Sequence, residues 1–66
     1  MKKMRIIQVY YFDDKGVKRI TDRVRSERPV IDVLKSRNHT IYDHEQQKRI
    51  LTPGYEVEEL PLPEEQ

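Results

Sequence analysis

The chain has 66 residues, of which 35% are hydrophobic and 38% are charged, and it contains no cysteine. A chain of this length forms one domain around one small core, and the lack of cysteine excludes a disulfide framework and a thiolate metal site. The net charge of +1 hides an uneven distribution, because residues 1–53 carry a charge of +6 and residues 54–66, with five glutamates and no base, carry −5.

The first predicted element is a β-strand over residues 5–12, a segment rich in β-branched and aromatic side chains. Both of its faces are apolar, so we expect this strand in the middle of a sheet. The basic start of the chain is not followed by a cleavage site, and no stretch approaches about 20 apolar residues. We therefore expect a cytoplasmic protein with neither a signal peptide nor a membrane span.

The segment from 17 to 25 fits two interpretations, a helix or the second strand of a hairpin. We favour the strand, because Asp13 to Gly16 supply a short turn in which Gly16 can adopt a positive φ. The first strand also needs a neighbour for its backbone hydrogen bonds. Strict alternation along a strand would place four side chains on one face: Arg19, Thr21, Arg23 and Arg25.

One helix is predicted from about Glu27 to Arg37, with Ser26 as its N-cap and Pro29 in its first turn. Its apolar stripe includes Val30, Val33 and Leu34. Asn38 is suited to the left-handed conformation that ends many helices.

The remainder predicts a second hairpin from residues 39–43 and 48–52, a type II turn at Pro53-Gly54, and a last strand over 55–60 with Tyr55 and Val57 facing inward. The predicted fold is a single α+β domain over residues 1–60. It consists of a mostly antiparallel sheet of four or five short strands with one helix, in a ββαββ-like order. Residues 61–66 are predicted to form a flexible, acidic, proline-containing tail.

No group of residues predicts catalysis or cofactor binding. The best cluster contains His39, Asp43, His44 and Glu45, but on a strand His44 points away from the other three. A solvated hairpin tip fits these residues better than a zinc site, which needs three or four converging ligands. With two glycines there is no phosphate-binding loop, and neither serine lies in a nucleophile motif. We predict that the protein is not an enzyme.

The segment 15–37 carries a charge of +5 and contains no aromatic residue. One interpretation is that its basic side chains are the solvated faces of a strand and a helix. The alternative is a nucleic-acid-binding module that contacts the phosphate backbone. Its candidate residues are Arg19, Arg23, Arg25, Arg28, Lys35 and Arg37.

The segment Leu60-Pro61-Leu62-Pro63 has a functional interpretation as an extended peptide that docks into a groove of another protein. The acidic end could instead fold over the basic segment or serve only solubility. Pairing of exposed strand edges would give a homodimer.

Several short segments carry a resemblance to a known kind of protein: Ile7 to Tyr11, Asp14 to Gly16, Val30 to Leu34, Arg49 to Thr52 and Glu59 to Pro61. Their order resembles that of small Gram-positive bacterial and prophage domains of unknown function, which have a hairpin, a helix, a second hairpin and a Leu-Pro ending. The resemblance implies an accessory protein and confers no site residues. Our leading hypothesis is a non-enzymatic protein that binds another macromolecule, in the first place a protein, through a surface of polarised charge.

Overall fold

The computed structural model describes residues 3–62 and confirms the α+β class. The elements are β1 (Arg5–Phe12), β2 (Lys18–Ser26), α1 (Val30–Ser36), β3 (Thr40–Asp43), β4 (Lys48–Leu51) and β5 (Glu56–Pro61). The strands divide into a three-stranded sheet in the order β2-β1-β5 and a separate β3-β4 hairpin, rather than forming the single sheet predicted. No helix within these residues is long and apolar enough to cross a membrane.

β1 is the central strand, as predicted, and pairs antiparallel with β2 on one side and with β5 on the other. The turn after it is fixed by Asp13, whose carboxylate accepts hydrogen bonds from the backbone N–H groups of Val17 and Lys15, each at 2.9 Å. These bonds, with that from Val17 first, lower the pKa of Asp13. Gly16 has the predicted positive φ, at 80°.

A β-bulge in β2 decides where its arginines point. Val9 pairs with Asp22 and Tyr10 with Ile20, so Thr21 is the extra residue. Its hydroxyl donates to the carbonyl of Val9 at 3.3 Å. The prediction that Arg19, Thr21, Arg23 and Arg25 share a face is wrong, because the extra residue interrupts the alternation.

α1 begins at Val30, three residues later than predicted. Arg28 precedes a proline, and a residue in that position is disfavoured in helical conformation. Ser26 is therefore the last residue of β2 and not an N-cap, and its hydroxyl accepts the N–H of Arg28 at 3.0 Å. At the other end, Asn38 has a φ of 64° and ends the helix as predicted.

The core is formed by residues of β1 and α1, and within the described residues its buried apolar side chains are Ile7, Val9, Val33 and Leu34. The molecule is flat, with extents of 46 × 34 × 15 Å. Its radius of gyration of 13.5 Å exceeds the roughly 11 Å expected for a compact chain of this length. Much apolar surface thus remains outside the core.

The last strand follows the predicted turn, in which Gly54 has a φ of 93° and the N–H of Tyr55 donates to the carbonyl of Thr52. Val57 is half-buried beside Val9, whereas Tyr55 stays more than one-third exposed and packs its ring against that of Tyr11.

The predicted tail boundary at residue 61 is one residue early, because Pro61 ends β5 opposite Arg5. β5 is an edge strand, where a proline can leave its missing N–H on the outer side. Residues 63–66 of the predicted tail lie outside the described part of the chain.

Candidate binding face

The three-stranded sheet has two unlike faces. α1 and the chain leading into β3 lie against the face that carries Ile7, Val9 and Asp22, because Asp22 contacts both Arg37 and His39. We call the opposite face the open face. The register places these side chains on it: Ile6, Gln8, Tyr10 and Phe12 from β1, Lys18, Ile20, Arg23 and Arg25 from β2, and Glu56, Glu58 and Leu60 from β5.

The open face is organised in three columns that follow the strands. The β2 column is basic except for Ile20, the β1 column is apolar except for Gln8, and the β5 column is acidic except for Leu60. Because β1 lies between the other two strands, the apolar column lies between the basic and the acidic columns, and within the described residues only Lys18 reaches across it, to Glu58.

Large apolar side chains of this face are exposed to solvent. Phe12 is 58% exposed and Ile20 48%. The rings of Tyr10 and Phe12 form an edge-to-face pair with centroids 5.7 Å apart. Such aromatic pairs present rigid apolar area. Within the described residues, α1 covers only the other face.

Polar contacts fix the middle of the open face. Gln8 is only 5% exposed, since Arg23 and Glu58 flank it on the neighbouring strands. Its amide donates to the carboxylate of Glu58, which also accepts from the ammonium of Lys18 at 2.9 Å. The bond from Lys18 is the main cause of the lowered pKa of Glu58. Lys18 also lies over the ring of Tyr10, 4.2 Å from its centroid.

The candidate nucleic-acid-binding residues do not form one patch. Arg19 pairs with Asp13 at 3.0 Å, Lys35 lies 3.9 Å from Asp32, and Arg37 pairs with Asp22. Arg23 and Arg25 lie on the open face and form no ion pair within residues 3–62. Arg28 lies in the loop between β2 and α1.

Arg28 lines a cleft of about 540 Å³ together with Leu60 and Pro61, two of the four residues predicted to bind a partner. Arg5 and Glu59 form an ion pair of 3.0 Å in its wall. Leu62 is half-buried and Pro63 lies outside the described residues. Since Leu60 and Pro61 belong to β5, the predicted docking segment does not start as a free extended peptide.

Asp22 joins the sheet to the rest of the molecule. Its carboxylate accepts from Nε and Nη2 of Arg37 at 2.5 and 3.0 Å, and it contacts Nε2 of His39 at 2.8 Å. The guanidinium of Arg37 is the main cause that holds the pKa of Asp22 well below its usual range, and His39 contributes. The same interaction raises the pKa of Arg37. This network ties β2 to the end of α1.

A cleft of about 230 Å³ next to His39 contains the residue types of a hydrolytic site, since Thr21 and Thr52 also line it. Both hydroxyls are already engaged as donors, that of Thr21 to the carbonyl of Val9 and that of Thr52 to the carbonyl of His39. The arrangement therefore stabilises the junction and does not present an activated nucleophile.

The structure separates the histidines and acids of the second hairpin. Asp43 accepts the N–H of Glu45 at 2.9 Å and the side-chain amide of Gln46 at 2.8 Å, so its carboxylate fixes the hairpin turn. The ring of His44 packs against Tyr42. Across residues 3–62, no three histidine, aspartate or glutamate side chains are placed to hold a metal ion together.

The sequence reasoning did not identify the open face as a site. The signal for it in the sequence is the presence of apolar residues on both faces of β1, a pattern that also indicates a central strand. Comparison of the chain with protein-family models, with curated proteins and with solved structures found no match.

Proposed function

We propose that this chain is a small, non-enzymatic accessory protein of the cytoplasm, of the bacterial or prophage kind that the resemblance implies, and that it binds another protein through the open face. The observation that carries the proposal is a half-buried apolar column between a basic and an acidic one, with Phe12 and Ile20 exposed on the same face.

The composition of the open face fits a protein better than other partners. Protein interfaces combine an apolar centre with a polar rim, and aromatic and arginine side chains supply most of their binding energy. The open face has both components: Tyr10 and Phe12 form its aromatic pair, and Arg23 and Arg25 lie further along the same face, opposite Gln8 and Ile6. The acidic column on β5 would repel a polyanion along one-third of the face.

A site-specific photo-crosslinker tests this function. It is placed at Phe12, and in a matched control at Ile41, which is 42% exposed on the separate β3-β4 hairpin. We expect irradiation to give protein adducts from position 12 and few from position 41. Equal labelling from both positions, or none from either, would contradict the proposal.

The second candidate is binding of single-stranded nucleic acid, favoured by one observation. The segment 15–37 contains no aromatic residue, but the sheet places Tyr10 and Phe12 of β1 on the same face as Arg23 and Arg25. Stacking aromatics beside basic side chains are typical of single-strand binders.

Salt dependence separates this candidate from the first. A labelled oligonucleotide is titrated at several salt concentrations against the parent chain, R23Q/R25Q and the control K48Q on β4. Loss of two phosphate contacts should reduce the log-log salt slope by about 1.4, while the control keeps it. Absence of binding at about 50 mM salt would dismiss nucleic acid as the partner.

A further inference from the structure

The open face carries opposite charges at one level of its outer strands, Arg23 on β2 and Glu58 on β5. We propose that the protein bound by this face is a second copy of the chain, in a two-fold dimer whose axis runs parallel to β1. The inference rests on the proposed function, since it names the occupant of the same face.

Charge selects the direction of the axis. Two sheets that pack face to face can be related by a two-fold axis along the strands or across them. An axis across the strands places each β2 over the β2 of the other copy, so basic columns meet. An axis along the strands places each β2 column over the β5 column of the other copy and β1 over β1, because the strand order is β2-β1-β5. By the register, Arg23 then meets Glu58, whereas Ile20 meets Glu56 and Arg25 meets Leu60.

The register defines the central contact of the dimer. Arg23 and Glu58 both lie opposite Gln8, so they stand at the same level along the strands. Arg23 would then face the partner subunit's Glu58, and symmetry repeats the contact once. A carboxylate has about four acceptor sites, so Glu58 can accept from a guanidinium while it keeps Gln8 and Lys18.

The apolar column supplies the centre of this interface. Ile6, Tyr10 and Phe12 would meet their own counterparts across the axis, with the rotation of about 30° that is usual between packed sheets. Phe12 would lose the exposure that it has in the single chain, whereas Ile20 would face Glu56 of the partner subunit. The flat molecule, whose described part fully buries four apolar residues, would thereby gain a second apolar layer.

The size of the face predicts a weak dimer. β1 has eight residues, and with a rise of about 3.3 Å per residue and strand spacings of about 4.8 Å the face covers roughly 26 × 14 Å. Two such faces bury roughly 700 Å² in total, below the roughly 1,200 Å² at which the usual range begins. We therefore expect weak self-association that increases with concentration and becomes detectable below about 1 mM.

Sedimentation equilibrium on two charge-reversal variants tests the pairing. R23E would bring two carboxylates together at each facing pair, and E58R would bring two guanidinium groups together there. Each variant alone should therefore associate at least about tenfold more weakly than the parent chain, because like charges repel across an interface. An equimolar mixture should form a heterodimer at near-parent affinity, because the R23E copy and the E58R copy then face each other with opposite charges at both pairs. R49E on β4 makes the same charge change outside the face and should dimerise like the parent.

Circular dichroism establishes that each variant is folded. If E58R does not fold, the neutral variants R23Q and E58Q replace the reversal, and each should weaken self-association several-fold. A parent chain that stays monomeric up to about 1 mM overturns the inference, as does a mixture that associates no better than its components.

Crosslinking from position 12 distinguishes a failure of the proposed dimer from a failure of the proposed protein-binding function. Adducts between copies of the purified chain support the dimer. If the purified chain gives none but a different protein is captured from position 12 and not from position 41, the dimer is overturned and the proposed protein-binding function stands. If neither kind of adduct forms, the dimer and the protein-binding function are both refuted.

Discussion

Replacing Asp22 by asparagine removes the negative charge that joins β2 to α1 and to the chain entering β3. The carboxylate accepts two hydrogen bonds from Arg37 and contacts His39, and its side chain is 17% exposed, so solvent screens it only partly. Hydrogen bonds to charged groups contribute about 1.5–3 kcal/mol. We expect D22N to lose a free energy of unfolding of that size at pH 7. A chain of this length has roughly 3–10 kcal/mol in total, so the loss is large.

The pH dependence of this stability difference provides a second test of the role of Asp22. The pKa of Asp22 is lower in the folded than in the unfolded state, so its contribution is fully present above the unfolded value of about 4. It is lost as the pH falls towards the folded value, because the unfolded chain takes up the proton first. The difference between parent and D22N should therefore shrink steadily below about pH 4.

Urea unfolding followed by circular dichroism at pH 7, 5 and 3 measures both effects. The control is D32N, which also removes one negative charge but affects an exposed helical ion pair of 3.9 Å. Surface pairs of this kind contribute at most about 1 kcal/mol. Equal losses in D22N and D32N at pH 7, or a D22N deficit that stays constant down to pH 3, would refute the reasoning.

Two further stability predictions follow from the core and from a hairpin turn. L34A should lose about 2–5 kcal/mol of unfolding free energy because it leaves a cavity in the core beside α1. I31A, on the same helix but 41% exposed, should lose less than half as much. Equal losses in urea unfolding would contradict the burial of Leu34. Q47G should gain up to about 1 kcal/mol of unfolding free energy, because Gln47 has a φ of 57° that glycine adopts without strain. The midpoint of thermal unfolding should rise by about 4–8 °C, and a lowered midpoint would disprove the prediction.

Local patterns predicted the elements that depend on neighbouring residues. The apolar segment from 5 to 12 predicted the central strand, and Gly16, Asn38 and Gly54 have the positive φ values expected of them. These features follow from sterics and side-chain type within a few residues. The predicted start of the helix is wrong. Ser26 is a residue type that favours an N-cap, but Pro29 disfavours the helical conformation at Arg28, so the helix starts later.

The composition of the open face could not be read from local patterns. It depends on the pairing of β1 with β5, whose partner residues are some fifty positions apart, and on the bulge at Thr21. The bulge places Arg23 and Arg25 on the same face as Ile20 and leaves Arg19 on the other. A bulge is a property of two paired strands, so strict alternation along one strand missed it.

By itself, the sequence determined the α+β class, the central strand and the uneven distribution of charge, because these depend on composition and on side chains close together in the chain. Only the tertiary structure decided which charged side chains form ion pairs and which face of the sheet the others lie on. It pairs Arg19 and Arg37 with acids of the fold, and it sets the basic residues of β2 and the acidic residues of β5 on either side of the apolar residues of β1. Distant segments meet at one level of a sheet only through strand register, which long-range pairing fixes.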